Sequence, residues 1–280
     1  MKLNQIQKEL DRIEAESTLR KAECSFSLPN RNEVVDLIKD LQSLLFPGYF
    51  KSRSVTQEGL SGIGLLRKIQ NQLVTLLEKV SDFAGWEAVG EEVANEFLAR
   101  LPEIKEKLLK DIEALYEGDP AAKSHEEVLL CYPGFYAISI YRLAHELYLL
   151  RVPLIPRIMT EYAHEKTGVD IHAGATIGEY FFIDHGTGIV VGETCVIGDH
   201  VKLYQGVTLG AKSFELDENG NPIKDLKRHP NIGNHVIIYA NATILGGGTY
   251  VGDGCIIGAS VWLTQSVEAG KTLYYTPNQK

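Results

Sequence analysis

The stretch IHAGATIGEYFFIDHGTGIVVGETCVIGDHVKLYQGVTLG (171–210), resumed after a polar interruption by NIGNHVIIYANATILGGGTYVGDGCIIGASVWL (231–263), has a period that decides the fold. Aliphatic residues fall at Ile171, Ile177 and Ile183, then Val191, Ile197, Leu203 and Leu209, then Ile232, Ile238 and Ile244, and last Val251, Ile257 and Leu263. Seven of these thirteen positions are followed directly by glycine, and the residue four further on is small or β-branched in every case but Phe181. A six-residue step suits neither a helix nor a strand meander, and self-similarity at a fixed period points to a solenoid. Three short strands per coil would stack every eighteenth residue about 4.8 Å apart, with the aliphatic and small positions facing inward. Cys195 and Cys255 then read as core-filling residues. The expected β-helix runs from Ile171 to about Glu268.

Upstream the period is helical. Leu3, Ile6, Leu10 and Ile13 recur at helical spacing, as do Val34, Leu37, Ile38, Leu41 and Leu45 before Pro47-Gly48. Further amphipathic stretches cover about 58–81, 86–101 and 103–117. In Gly118-Asp119-Pro120 the aspartate suits an N-cap and the proline a first helical position. Two more helices are expected from Phe135 to Leu150 and from Pro153 to Lys166.

The 280 residues carry a net charge of −9, which disfavours nucleic acid or an anionic membrane as partner. The four cysteines lie far apart without a CxxC pair, suggesting free thiols, no metal site and a cytoplasmic setting. No apolar run approaches the roughly 20 residues of a membrane span. The opening MKLNQIQKELDRIEAE is charged and acidic, unlike a targeting peptide.

Chemistry is best sought where the period fails, because regular coils only need to pack. The step from Ile183 to Val191 is eight residues long and contains Asp184-His185 flanked by Gly186 and Gly188. Between Leu209 and Ile232 a polar segment must leave the solenoid, returning at Lys227-Arg228-His229-Pro230. A third, smaller irregularity passes through Gly246-Gly247-Gly248. His185 and His229 therefore stand out, since a neutral imidazole can act as a general base near pH 7. Asp170 precedes His185 by fifteen residues, a spacing that lets the two approach from adjacent coils.

With these residues laid out, the chain resembles the serine O-acetyltransferases. The matching runs are VDIHAGATIG (169–178), IDHGTGIVVGET (183–194), QGVTLG (205–210) and KRHPNIG (227–233), with EGDPAA (117–122) and YPGFYAISIYRLAHELY (132–148) before them. The resemblance covers about residues 112–263. It implies an α+β chain: an all-helical N-terminal domain over 1–168, then a left-handed parallel β-helix of hexapeptide repeats over 169–280 with a loop at about 211–228. It further implies acetyl transfer from acetyl-CoA, a co-substrate rather than a tightly bound cofactor, to L-serine in cysteine biosynthesis. His185 would take the serine hydroxyl proton, Asp170 would support the imidazolium, and His229 would be the second active-site histidine. Arg228 would bind the serine carboxylate, Asp119 and Asp184 its ammonium group, and Glu193 would line the cleft. Backbone near Gly210, Ala211, Ala240 and Ala259 would meet the pantetheine arm. The site would lie between neighbouring subunits of a trimer or dimer of trimers.

The chain departs from the family pattern at three places. Ala211 stands where a second glycine is frequent, and the loop 212–227 is longer. The tail TLYYTPNQK lacks the terminal isoleucine that enters cysteine synthase in many members, so that complex is not expected. The rival readings are a hexapeptide acetyltransferase for homoserine, a sugar or another small acceptor, a γ-type carbonic anhydrase, and a non-catalytic β-helix scaffold. Arg228 with Asp119 and Asp184 favours a zwitterionic acceptor, and the absence of a His-x4-His pair disfavours the anhydrase.

Overall fold

The computed structural model describes residues 3–17 and 28–275; Cys24 and residues 276–280, on which the expectation about cysteine synthase rests, lie outside the described residues. Among the described residues eight α-helices come first: α1 (Leu3–Glu16), α2 (Arg31–Leu45), α3 (Arg53–Thr56), α4 (Gly62–Ala84), α5 (Gly90–Gly118), α6 (His125–Cys131), α7 (Pro133–Leu149) and α8 (Ile155–Thr167). The helical spacing of Val34, Leu37, Ile38 and Leu41 puts them on one face of α2, where all four are fully buried. Asn30 caps this helix in a capping box with Glu33.

Two local expectations are corrected. The stretches 86–101 and 103–117 form one helix, α5, with Pro102 inside it. A proline there removes one backbone hydrogen bond, at a cost of about 3 kcal/mol. Buried Phe97, Leu101, Ile104 and Leu108 on either side bind both halves to the same core, and this packing outweighs the loss. Asp119 is not an N-cap but the C-cap of α5, while Ser124 caps α6 by accepting from the Glu127 N–H. The Asp119 side chain instead accepts from the Ala121 N–H at 2.8 Å, turning the chain between the two helices.

Fourteen strands, numbered in chain order, then wind a left-handed parallel β-helix with three sheets. One holds β1 (Asp170–Ile171), β4 (Val190–Val191), β7 (Thr208–Gly210), β10 (Thr243–Leu245) and β13 (Trp262–Leu263). The second holds β2 (Thr176–Ile177), β5 (Val196–Ile197), β8 (Asn231–Ile232) and β11 (Tyr250–Val251). The third holds β3 (Phe182–Ile183), β6 (Lys202–Leu203), β9 (Ile237–Ile238), β12 (Ile256–Ile257) and β14 (Thr272–Leu273). All thirteen periodic aliphatic residues point inward and are buried, as are Ala175, Phe181, Cys195, Val201, Val207, Val236, Ala242 and Cys255. Burial pushes the Cys195 thiol up to about 12, as suits a core filler.

The register shows where residues were inserted. Val190 pairs with Thr208, an offset of 18 residues, but Asp170 pairs with Val190 at 20 and Thr243 with Trp262 at 19. Thr208 pairs with Thr243 at 35, so the segment between is extruded as a loop. That loop is itself a small hairpin, with Asp217 N–H donating to Asn221 O at 2.8 Å and Ile223 N–H to Glu215 O at 2.8 Å.

The helices are fastened to the first coil by a buried ion pair. Arg142 on α7 meets Asp111 on α5 through Nε–Oδ2 at 2.6 Å and Nη2–Oδ1 at 2.8 Å. The guanidinium also donates to the carbonyls of Ile177 and Gly178, while Asp111 Oδ1 accepts from the Phe181 N–H. Every charge is thus matched, which a desolvated pair requires.

Candidate active site

The corner between the third and first sheets carries one group of candidates. Asp184 N–H still donates to Leu203 O, continuing the ladder, and Gly206 N–H donates to Thr187 O one coil on. His185 and Gly186 are therefore the two inserted residues. Both take positive φ, 56° for His185 and 82° for Gly186, so the backbone bulges and the imidazole is thrown outward, 69% exposed. Its Nδ1 lies 3.6 Å from Asp184 Oδ1.

Asp119 reaches this corner from the helical region because α5 ends directly on β3. A Cβ on Gly118 would lie 2.4 Å from the Phe182 ring, so only glycine allows that approach. Asp119 Oδ2 accepts from the Tyr132 hydroxyl at 2.5 Å. This bond first, then the Ala121 N–H and the nearby His185, hold the Asp119 carboxyl below its usual range. Asp170 opens β1 on the same corner, one coil earlier. Its carboxylate gathers with His164 and Glu161 of α8, their polar atoms all within 4.8 Å of one another. No hydrogen bond joins Asp170 to His185 among the described residues.

The second group occupies the corner between the first and second sheets. Here the return of the loop is laid over β4 and β5. His229 is only 7% exposed, and its ring rests where Gly192 lacks a side chain: a Cβ there would be 2.0 Å from Cδ2. Thr194 N–H donates to His229 Nδ1 at 3.1 Å, and the Thr194 hydroxyl lies 2.9 Å from the same nitrogen. Burial, then Arg228, lower the His229 pKa to about 4. The ring is therefore neutral near pH 7, and its Nδ1 accepts from the Thr194 N–H.

Arg228 Nη2 meets Glu193 Oε2 at 2.5 Å, and the Tyr148 hydroxyl donates to Glu193 Oε1 at 3.2 Å. Burial would raise Glu193, but the Arg228 hydrogen bond and the His172 and Arg228 charges prevail and hold it low. Lys227 Nζ caps the corner on the Thr194 carbonyl and on Asn231 Oδ1.

The two groups lie on different edges of the prism, separated by the first sheet. The run Ile189–Gly192 between them spans on the order of 10 Å at the usual strand rise. The remaining candidates divide the same way. Ser260 N–H donates to Ala240 O and Asn241 N–H to Gln205 O, so Ala240 and Ala259 continue the corner of His185 down the helix. Gly210, paired with Leu245, and Ala211 lie on the corner of His229. Tyr132, Tyr148, His172 and Thr194 were not anticipated. Thr194 closes the motif that contains His185, and Tyr132 precedes Pro133-Gly134, but neither position alone reveals its partner.

A family model described as "Serine acetyltransferase, N-terminal" matches residues 67–139. A plasmid-borne serine acetyltransferase of Synechococcus elongatus is 47% identical over 259 residues, which is 88% of this chain and 81% of that protein. The serine acetyltransferase of Bacillus subtilis is 42% identical over 172 residues, 61% of this chain and 75% of its own. Among solved structures, Entamoeba histolytica serine acetyltransferase 1 in complex with L-cysteine superposes with a TM-score of 0.71 at 37% identity, covering 86% of each chain. The Neisseria gonorrhoeae serine acetyltransferase in complex with serine superposes at 0.60 with 28% identity, covering 89% of this chain and 83% of that one.

Proposed function

The chain belongs to the serine acetyltransferase family, and on that footing we propose that it moves the acetyl group of acetyl-CoA to the hydroxyl of L-serine, giving O-acetylserine and CoA for cysteine biosynthesis. The observation that carries this reading is the pair of opposite-charge corners bounding one sheet: Asp119 and Asp184 beside His185, and Arg228 beside His229. An amino acid needs both an anionic and a cationic clamp, whereas a sugar needs neither.

In the proposed reaction His185 takes the proton of the serine hydroxyl as its oxygen attacks the thioester carbon. Asp170 supports the imidazolium that forms, as in a triad. The neutral His229 offers its Nε2–H to the negative charge developing at the thioester oxygen. The C–S bond then breaks, and the CoA sulfur takes the proton back from His185. Arg228 turns from Glu193 to the serine carboxylate, and Asp119 and Asp184 hold the ammonium group. The pantetheine arm lies against Gly210 and Ala211 of one chain and Ala240 and Ala259 of the next, where small side chains let a narrow ligand approach the backbone.

Because the two corners sit on separate edges, the site is completed by the neighbouring copy in a trimer, which the helical region joins to a second trimer. The face between the corners suits that contact: after Asp170 at its first coil, its outward column Val190, Thr208, Thr243 and Trp262 has no charge, and Trp262 is 69% exposed. No helix of the described residues is long and apolar enough to cross a membrane. Cys131, Cys195 and Cys255 are free, which suits a reducing cytoplasm.

Release of CoA thiol from acetyl-CoA on adding L-serine, L-homoserine or a hexose tests the assignment. L-Serine gives the highest kcat/KM. A preference for the sugar, or no release with any amino acid, overturns it.

A further inference from the structure

We propose that Thr194 is a positioning residue that fixes both the orientation and the proton placement of His229, an inference that rests on the reading of His229 as part of the acetyl-transfer site. Its hydroxyl stands at the centre of the returning loop. Oγ1 accepts from the Arg228 N–H at 3.0 Å and from the His229 N–H at 3.1 Å. A hydroxyl has two acceptor sites and one proton, so with both lone pairs occupied its hydrogen is directed to His229 Nδ1, 2.9 Å away. The Thr194 N–H, at 3.1 Å, points at the same nitrogen.

Two donors converge on one ring nitrogen. A proton on Nδ1 would face both of them, so the neutral ring must carry its hydrogen on Nε2, over Gly192. The charged or titratable groups that face His229 are Arg228, Glu193, Lys227 and His172; the two cations oppose a further charge, and Glu193 favours it. Arg228 also pairs with Glu193, leaving the cations in excess around the ring. Thr194 thereby makes His229 a dedicated donor and leaves the role of base to His185. It also sets the backbone of Arg228, and so the starting point of that guanidinium.

Thr194→Val keeps the shape and the backbone N–H but removes the hydroxyl; Thr194→Ser keeps the hydroxyl. Both are compared in the full-length protein by serine-dependent thiol release and by nitrogen NMR of 15N-histidine-labelled protein. In the wild type, His229 carries its proton on Nε2 and does not titrate between about pH 5.5 and 8. Thr194→Val is expected to lose at least ~10-fold in kcat, to change KM for acetyl-CoA by less than about twofold, and to shift the His229 ring nitrogens from the single Nε2–H pattern toward a tautomer-averaged one. Thr194→Ser restores the wild-type tautomer and activity to within about threefold. The inference is overturned if the wild-type ring carries its proton on Nδ1. It is equally overturned if Thr194→Val loses activity with the His229 signal unchanged, which would mark a purely structural role. Absence of serine-dependent release in the wild type would remove the functional reading, while the NMR still decides the proton placement.

Discussion

The Tyr132 hydroxyl donates to Asp119 Oδ2 at 2.5 Å, so the carboxylate at the end of α5 is held from the residue that precedes α7. The same carboxylate accepts the Ala121 N–H at 2.8 Å, leaving it little freedom to rotate. Tyr132→Phe removes one of these two restraints without opening a cavity. A hydrogen bond to a charged group contributes about 1.5–3 kcal/mol, so KM for L-serine should rise on the order of 10-fold. KM for acetyl-CoA should stay within about twofold. An equal rise for both substrates would show that Tyr132 supports the fold rather than the ammonium site.

Protonation of His229 couples the second corner to folding. Its folded pKa of about 4 lies below the ordinary histidine value of 6.5, so between these limits the unfolded chain binds the extra proton. Stability from this residue is complete above about pH 6.5 and is lost as pH falls toward about 4. Thermal unfolding of His229→Gln should therefore lose less Tm than the wild type between about pH 6.5 and 4.5. Parallel Tm–pH curves for the two proteins would contradict a buried neutral ring.

How far these features could be read in advance depended on the range of the interaction. The β-helix was legible because Ile171 through Leu263 obey a local rule, and each of the thirteen aliphatic positions is buried as that rule requires. The bulge at His185 was legible as an excess over the period. Continuity of α5 through Pro102 was not, because the deciding packing comes from other helices. Asp119 reads as a helix start from its neighbours alone, yet its partner Tyr132 is thirteen residues away. Thr194 escaped notice for the same reason: its hydroxyl meets a histidine thirty-five residues later, after a loop whose path no local pattern fixes.

Gly192 is the floor on which the His229 ring lies. With a Cβ 2.0 Å from Cδ2 and 2.1 Å from Nε2, Gly192→Ala must push the imidazole away by more than an ångström. A displacement of that size costs activity on the order of 100-fold. The far-ultraviolet circular dichroism should stay that of the wild type, since residue 192 lies just outside β4. Full activity in this variant would show that the ring position does not matter.

Asp111→Ala strands the Arg142 guanidinium in the interface between helices and first coil, where Arg142 is only 5% exposed. Breaking a buried pair from one side is expected to cost about 3–5 kcal/mol. Urea unfolding reads this loss directly. A change under about 1 kcal/mol would mean that the pair is not what joins the two regions.

The central claim is that acetyl transfer to serine occurs at a site assembled from the His185 corner of one chain and the His229 corner of its neighbour. His185→Ala and Arg228→Ala chains, each nearly inactive alone, can be co-expressed with different tags and purified as mixed trimers. A cyclic trimer that holds both variants places an intact His185 corner against an intact Arg228 corner at about one interface in three, whichever variant is in excess. Serine-dependent thiol release should then recover to about a third of the wild-type rate. Release no greater than the sum of the two separate variants would contradict the shared site.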